Sequence, residues 1–275
     1  MLWVSSRTPR VPTDGGHGDV IELFDRICDG VAEVLAATTD WGASGLRQDQ
    51  YSVDLAADRV CTEGLHGAGY AVLSEESGIT APPGGPDDAP VVVVDPLDGS
   101  TNASRGIPWF ATALCLVRDD PDTGAAVPVA AMVANHATGS RHWAVRGQGA
   151  VLDGAPISVS GCRELSACML GVNGLPDRHY GWAQFRAMGA AAPDLCSVAS
   201  GVLDAWCDMT SAGHGVWDYL AALLICEEAG AHIAEVNGDD LVILDTQQRR
   251  IPVVAATTEL LEVLLEQRRA RSARR

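Results

Sequence analysis

Apolar residues recur at positions 20, 21, 23, 24, 27, 28, 31, 34 and 35, the spacing that lays one stripe along a helix, so Asp19 to Ala37 reads as a helix. Asp19 with Glu22 three residues later gives it a capping start. A second helical stretch begins near Val53 and runs towards Leu65, and GYAVLSEES then reads as a strand ending in Glu75 and Glu76. The turn-rich run APPGGPDDAP, residues 81–90, delivers the chain to four adjacent valines at 91–94. An unbroken β-branched run leaves no face for water and predicts a strand buried on both sides. Pro96 lacks an N–H and is expected to stop its ladder.

Residues 109–117, 127–134 and 141–146 follow as strands with short polar connections, which suggests an antiparallel sheet. GQGAVLDGAPISVS, residues 147–160, has glycines at hairpin spacing and reads as a structural turn. Beyond about residue 160 shorter strands interleave with helices, which places a soft boundary there. WDYLAALLICEEAG, residues 217–230, is a strongly apolar helix stopped by Gly230. The last helix spans 257–270, with Glu259 and Glu262 early and Arg268 and Arg269 late, as the helix dipole prefers. The chain thus divides into a loose tail at 1–18, subdomains at 19–160 and 161–270, and a solvated basic end at 271–275.

The 275 residues suffice for one large domain or two intimate subdomains, and 47% hydrophobic against 20% charged residues fits a compact chain. A net charge of -17 argues against non-specific nucleic-acid binding and against anionic membranes. An anionic substrate would need local positive charge, and with 36 acids against 19 bases a bound cation is its natural source. Eight cysteines without a CxxC pair read as buried free thiols in a reducing cytoplasm. The opening residues lack the apolar core of a secretion signal, and nothing is long and apolar enough to span a membrane.

Acids stand beside special backbone at Asp58, at Glu75 and Glu76, at Asp95 and Asp98, and at Asp218. Oxygen ligands without paired histidine or cysteine select hard cations, with Mg²⁺ the cellular candidate, and speak against zinc. Taken alone, Asp218 suits the first turn of a helix and Glu75 with Glu76 a solvated strand end. Asp95 and Asp98 are different. DPLDGST confines two acids, a glycine and a hydroxyl to one turn after a dry strand, where the acids repel each other unless a cation lies between them. Gly99 admits a close ligand and Ser100 adds a hydroxyl, an arrangement suited to phosphate. His136, His142, His179 and His214 have no spacing that forms a site and read as surface or hydrogen-bonded core residues. Trp217 reads as a helix anchor.

DPLDGSTN resembles the DPxDGTxN signature of the inositol monophosphatase-like family of Mg²⁺-dependent, lithium-sensitive phosphatases. SEES at 74–77 is similar to its GEES element, WDYLAALLICEEAGA to WDxAAGxLIxxEAGG, GQGAVLDGAPISVS to its GxGAFxNGxxIxVS hairpin, and FRAMGAAA at 185–192 to RxxGSAAL. The resemblance implies an α/β fold, more fully an α+β layered sandwich of alternating helix and sheet layers, with an antiparallel sheet first and a smaller α/β part second. It implies that Glu75, Asp95, the Leu97 carbonyl and Ser100 surround a first metal, while Asp95 bridges to a second held by Asp98 and Asp218. A weaker third ion would face Glu75 with Asp58 behind it. The Gly99 and Ser100 amides would meet the phosphate, and Ser100 and Glu75 would orient and deprotonate a metal-activated water, with the second ion beside Asp98 and Asp218 stabilising the leaving group. A homodimer is implied by the same analogy.

The chain departs from the family in Ser100 for threonine, Ala103 for a common aromatic, a shortened helix before Asp58 and no lysine near the third ion. The segment 171–183 is short, and extra residues in TSAGHGV separate Asp208 from Asp218. Asp208 stands where a family acid holds ring hydroxyls, and reads equally as that ligand or as a solvated acid. The implied substrate is a small phosphorylated metabolite, inositol monophosphate first, with fructose 1,6-bisphosphate, histidinol phosphate and 3′-phosphoadenosine 5′-phosphate as alternatives. Haloacid dehalogenase-like phosphatases also place paired aspartates after a strand, but as DxDx[TV] rather than DxxDG. A phosphate-binding regulatory module without catalysis is the remaining alternative class.

Overall fold

A computed structural model describes residues 18–46, 50–86 and 89–272. The expected tail at 1–18 lies outside the described residues except for Gly18, and the basic end lies outside them from 273 onward. Six helices are described: α1 (Gly18–Ala37), α2 (Ser52–Gly67), α3 (Ser100–Ser104), α4 (Ala191–Ala199), α5 (Val216–Glu228) and α6 (Thr258–Ser272). The first sheet holds β1 (Ala71–Ser74), β2 (Gly78–Thr80), β3 (Val91–Asp98), β4 (Ala111–Asp119), β5 (Ala126–Asn135), β6 (Arg141–Val145), β7 (Ala150–Leu152) and β8 (Ala155–Ile157), in the spatial order β2-β1-β3-β4-β5-β6-β7-β8. The second holds β9 (Met169–Asn173), β10 (Gln184–Arg186), β11 (Ala205–Asp208), β12 (His232–Glu235) and β13 (Pro252–Ala255), ordered β10-β9-β11-β13-β12.

Helices and sheets alternate in layers. α1 and α2 cover one face of the first sheet, α4 and α5 lie between the two sheets, and α6 closes the outer face of the second. The valine strand shows why. Val92 and Val94 pack into the cluster containing Phe24, Ile27 and Leu65 of α1 and α2, while Val93 points the other way, towards Leu220 and Leu224 of α5. Burying each such side chain contributes roughly 1.5–3 kcal/mol before entropy is counted. The strand is therefore dry on both faces, and its end is held in place by helices on either side.

Two expectations need correction. The first sheet is mixed rather than purely antiparallel, because β1 runs parallel to β3 while the other neighbours are antiparallel. Pro96 does not stop β3. Pairing with β4 continues to Asp98, but shifts register between Asp95 and Asp98, so the missing proline donor falls inside a bulge.

All eight cysteines are free thiols, seven of them buried. The hairpin expected at 147–160 forms β7 and β8, with Asp153 and Gly154 at positive φ in its turn.

Candidate active site

Asp95, 1% exposed, follows the valines within the buried part of β3, and its Oδ1 accepts the Leu97 N–H at 3.0 Å. Glu75 follows β1, the parallel neighbour of β3, and its N–H bonds the Val94 carbonyl at 3.2 Å. Asp218 is the third residue of α5, where its Oδ2 takes the Gly215 N–H at 2.9 Å as a helix cap. One carboxylate oxygen from each of Glu75, Asp95 and Asp218 lies within 4.8 Å of the others. Two sheet strands and the helix between the sheets thus bring together three acids far apart in the chain.

Such a cluster is unfavourable on its own. Burial pushes the Asp95 carboxyl well above the ordinary range, and the charges of Glu75, Asp98 and Asp218 add to it. Asp98 is pushed up to about 8, by burial first and Asp218 second, although the Ala192 N–H bonds its Oδ2 at 2.6 Å and opposes the shift. Oxygen donors alone, drawn together until Asp95 and Asp98 are held above the ordinary carboxylate range, match the donor set of a hard divalent cation.

Beside the cluster lies a cavity of about 200 Å³, walled by Asp98, Asp218, Asp194, Asn173, His214 and residues Gly189 to Ala191. Gly99 adopts φ 84°, and a Cβ there would meet both the Ala190 Cβ and the Trp109 carbonyl at 2.9 Å. The turn must be glycine to approach the cavity wall this closely. Asn102 then ties the two segments together, its amide donating to the Trp109 and Met188 carbonyls at 2.8 Å each. Asp194, 1% exposed, accepts the indole N–H of Trp109 at 2.7 Å and of Trp206 at 3.3 Å, and burial raises its pKa to about 7 against those two bonds.

Of the residues singled out in the sequence, Glu75, Asp95, Asp98 and Asp218 converge, with Leu97 in the bulged end of β3, Gly99 in the adjoining turn and Ser100 at the start of α3. Asp58 is buried, at 7% exposure. Its Oδ1 accepts the hydroxyls of Ser74 and Ser77, which brace the strand end carrying Glu75. Asp208 is neither a solvated acid nor part of the cavity wall. It is 0% exposed, and its carboxylate accepts the Thr210 N–H at 2.8 Å, the Thr210 hydroxyl at 3.1 Å and the Asn173 amide at 3.3 Å. Arg268 of α6 fixes the same turn through the Asp208 and Thr210 carbonyls.

His214 was passed over for want of a metal-ligand spacing, yet it belongs here. Its Nδ1 lies 3.0 Å from Asp218 Oδ2 and its Nε2 2.9 Å from the Asn173 amide nitrogen. Burial resists a charge on the ring, but the hydrogen bond and charge of Asp218, then Asp208 and Asp98, outweigh it and raise its pKa. An amide nitrogen can only donate, so the contact with Asn173 suits an unprotonated Nε2, with the ring donating from Nδ1 to Asp218. The available signal was the i, i+4 spacing of His214 and Asp218 across a helix start. Asn173 was missed as well, at the end of a parallel pair of strands where ligands commonly bind. Trp217 is 7% exposed, and its ring packs so closely on Gly215 that a Cβ there would lie 2.4 Å from it, as expected of an anchor.

Acids gathered against their own repulsion beside a polar cavity make the kind of site at which a phosphatase works with metal ions. The chain belongs to the inositol monophosphatase family, whose model matches residues 52–273. It is 34% identical to a fructose-1,6-bisphosphatase/inositol-1-monophosphatase of Archaeoglobus fulgidus, over 77% of this chain and 82% of that protein. It is 31% identical to the Nus factor SuhB of Xylella fastidiosa, over 70% of this chain and 71% of that protein. Among solved structures, an inositol monophosphatase-fructose 1,6 bisphosphatase superposes with a TM-score of 0.78 at 26% identity, covering 90% of this chain and 98% of that one. The protein is thus a phosphoric monoester hydrolase of this family, with the layered α+β fold of its relatives.

Proposed function

We propose that the chain is a Mg²⁺-dependent, lithium-sensitive phosphomonoesterase acting on a small phosphorylated metabolite, inositol monophosphate in the first place. Fructose 1,6-bisphosphate, named for the Archaeoglobus relative together with inositol 1-phosphate, is the next substrate to test. The observation that carries this reading is the convergence of Glu75, Asp95 and Asp218 within 4.8 Å. With Asp98, the four carboxylates bring four negative charges, and about two or three divalent ions would make the site neutral or positive before a phosphate arrives. Glu75, Asp95, the Leu97 carbonyl, Asp98 and Asp218 would hold those ions. When bound, they polarise the phosphate oxygens and lower the pKa of a water aimed at phosphorus.

The residues of the chain then divide the work. Ser100 orients the attacking water through its hydroxyl, and Glu75 accepts the proton the water loses. The Gly99 and Ser100 amides meet the phosphate oxygens, an approach supported by the absence of a side chain at Gly99. Asp218 uses Oδ2 for Gly215 and His214, which leaves Oδ1 for a cation. Asn173 and His214 face the part of the cavity where the alcohol departs, so hydroxyls of a polyol find polar partners there. Asp208, enclosed by its own turn, is not proposed as a substrate contact.

A reducing cytoplasm is supported by eight free thiols, and among the described residues no helix is long and apolar enough to cross a membrane. A homodimer is proposed by analogy alone. The name Nus factor carried by one relative does not move the reading towards nucleic acid, because a net charge of -17 disfavours phosphate backbones. The test is phosphate release from inositol 1-phosphate, fructose 1,6-bisphosphate, histidinol phosphate and 3′-phosphoadenosine 5′-phosphate, with Mg²⁺, with EDTA, and with Mg²⁺ plus Li⁺. Release from inositol 1-phosphate that needs Mg²⁺ and falls with Li⁺ supports the proposal. Preference for another compound keeps the chemistry and replaces the substrate.

A further inference from the structure

In a regular strand successive side chains alternate faces, so two residues three apart point opposite ways. Asp95 and Asp98 are three apart and would be divided between the two faces of the sheet. They share a site because β3 bulges: Asp95 pairs with Ala113 and Asp98 with Ala111, three steps on β3 against two on β4. The added residue returns Asp98 to the face of Asp95. It also takes the Pro96 carbonyl out of the ladder, and a buried carbonyl without a partner is costly.

Thr112 lies on β4 between those two pairs and is 0% exposed. Its hydroxyl donates to the Pro96 carbonyl at 2.8 Å, while His136 Nε2, just beyond the end of β5, stands 2.7 Å from the same oxygen. A hydroxyl has one proton, spent here on Pro96, so His136 must be the donor in the second contact. That requires a proton on Nε2. Burial, with help from the charge of Arg141, lowers the His136 pKa to about 3 and keeps the ring neutral, so that this is its single ring proton. The backbone N–H of His136 also donates to the carbonyl of Phe110 at 3.1 Å, just ahead of β4, which holds this part of the chain beside Thr112.

We propose that Thr112 and His136 are positioning residues for the metal centre: the chain from His136 through Thr112 to the Pro96 carbonyl holds the bulge that puts Asp95, Leu97 and Asp98 on one site. This rests on the reading of Asp95 and Asp98 as metal ligands given above. Neither residue touches substrate or metal. Their contribution is in the affinity for the cation, since partners that orient ligands change metal binding by about 10–100-fold when removed.

The test compares Thr112→Val, which keeps the shape and removes the hydroxyl, with Thr112→Ser, which keeps the hydroxyl, and with His136→Leu. Mg²⁺ binding is measured by titration calorimetry, and melting in EDTA is recorded for each protein. Thr112→Val is expected to bind Mg²⁺ about 10-fold more weakly, Thr112→Ser to stay within about 2-fold of the parent, and His136→Leu to fall between. Parental Mg²⁺ affinity in Thr112→Val or His136→Leu, even with lowered melting in EDTA, would reduce the pair to an ordinary core hydrogen bond and overturn the proposal. An equal loss in Thr112→Ser and Thr112→Val would do the same. Asp95→Asn separates the two levels: if it keeps parental Mg²⁺ affinity the metal assignment itself fails, whereas its loss beside an unaffected Thr112→Val defeats only the positioning role.

Discussion

Removing Mg²⁺ while raising pH should destabilise this protein in a way its cavity acids determine. Burial pushes Asp98 up to about 8 and Asp194 up to about 7, so both hold a proton in the folded chain at pH values where the unfolded chain does not. The unfolded state then binds fewer protons, and stability falls as pH rises through this range. Between pH 6.5 and 8 the linkage relation gives a loss on the order of 1–2 kcal/mol from Asp98 and on the order of 1 kcal/mol from Asp194, and Asp95, raised further by burial and by Glu75, adds to it in the same direction. Asp98 sits half-buried in the cavity wall, so water screens part of its share. His136 and His142, buried and lowered to about 3 and about 4, act in the opposite sense. They stay neutral when folded but half-charge at pH 6.5 when unfolded, which returns less than about 1 kcal/mol between them over the interval. With Asp95 and His214 acting in the same sense as Asp98, a net fall of at least about 1 kcal/mol remains, or at least about 2–4 °C in melting temperature for a chain of this size.

Saturating Mg²⁺ reverses the sign for Asp98, because a cation binds the ionised form and binds better as pH rises. Differential scanning calorimetry in EDTA and in Mg²⁺ at the two pH values measures both effects. In EDTA the melting temperature should drop from pH 6.5 to 8, and the gain on adding Mg²⁺ should grow. A melting temperature in EDTA that is flat or rises, or a Mg²⁺ gain that shrinks with pH, would refute the claim that mutually repelling buried acids await a cation.

Three further outcomes follow from individual contacts. Gly99→Ala should cost about 1–3 kcal/mol in chemical denaturation, since it adds a Cβ 2.9 Å from Ala190 and Trp109 at φ 84°. Ser100→Ala should lower kcat by about 10–100-fold with little change in Mg²⁺ affinity, and steady-state rates at saturating Mg²⁺ equal to the parent's would remove Ser100 from the mechanism. His214→Ala should weaken Mg²⁺ binding by about 10-fold, because Asp218 loses the partner that holds its Oδ2 at 3.0 Å, and calorimetric titration reads this directly.

The parts of the fold legible in the sequence are those where one physical cause dominates. Four valines can only be a doubly buried strand, and the α1 stripe at positions 20, 21, 24, 27, 28 and 31 is the buried face of that helix. α4 is different: all nine of its residues are buried, so it has no polar face and no period to read. The bulge was hidden because Pro96 looks like a strand end when only local hydrogen bonding is considered. What keeps the strand going is Thr112, sixteen residues away, and His136, forty away, and neither carries a local signal.

The site shows the same division. DPLDGST announces carboxylates, glycine and hydroxyl in one turn, and Glu75 and Asp218 follow by resemblance to the family elements around them. The seven residues of TSAGHGV are another matter. A chain that lengthens there can withdraw Asp208 into its own turn and bring His214 forward, an exchange decided by the packing of Arg268 and Asn173 rather than by sequence spacing.

The central claim is that Asp95 and its neighbours hold the metal on which phosphate hydrolysis depends. Phosphate release from inositol 1-phosphate by the parent and by Asp95→Asn, each with Mg²⁺ and with EDTA, tests it most directly. Release only by the parent, only with Mg²⁺, and with Asp95→Asn still folded by circular dichroism is the result expected. Undiminished release by the parent in EDTA, or by Asp95→Asn in Mg²⁺, would contradict it.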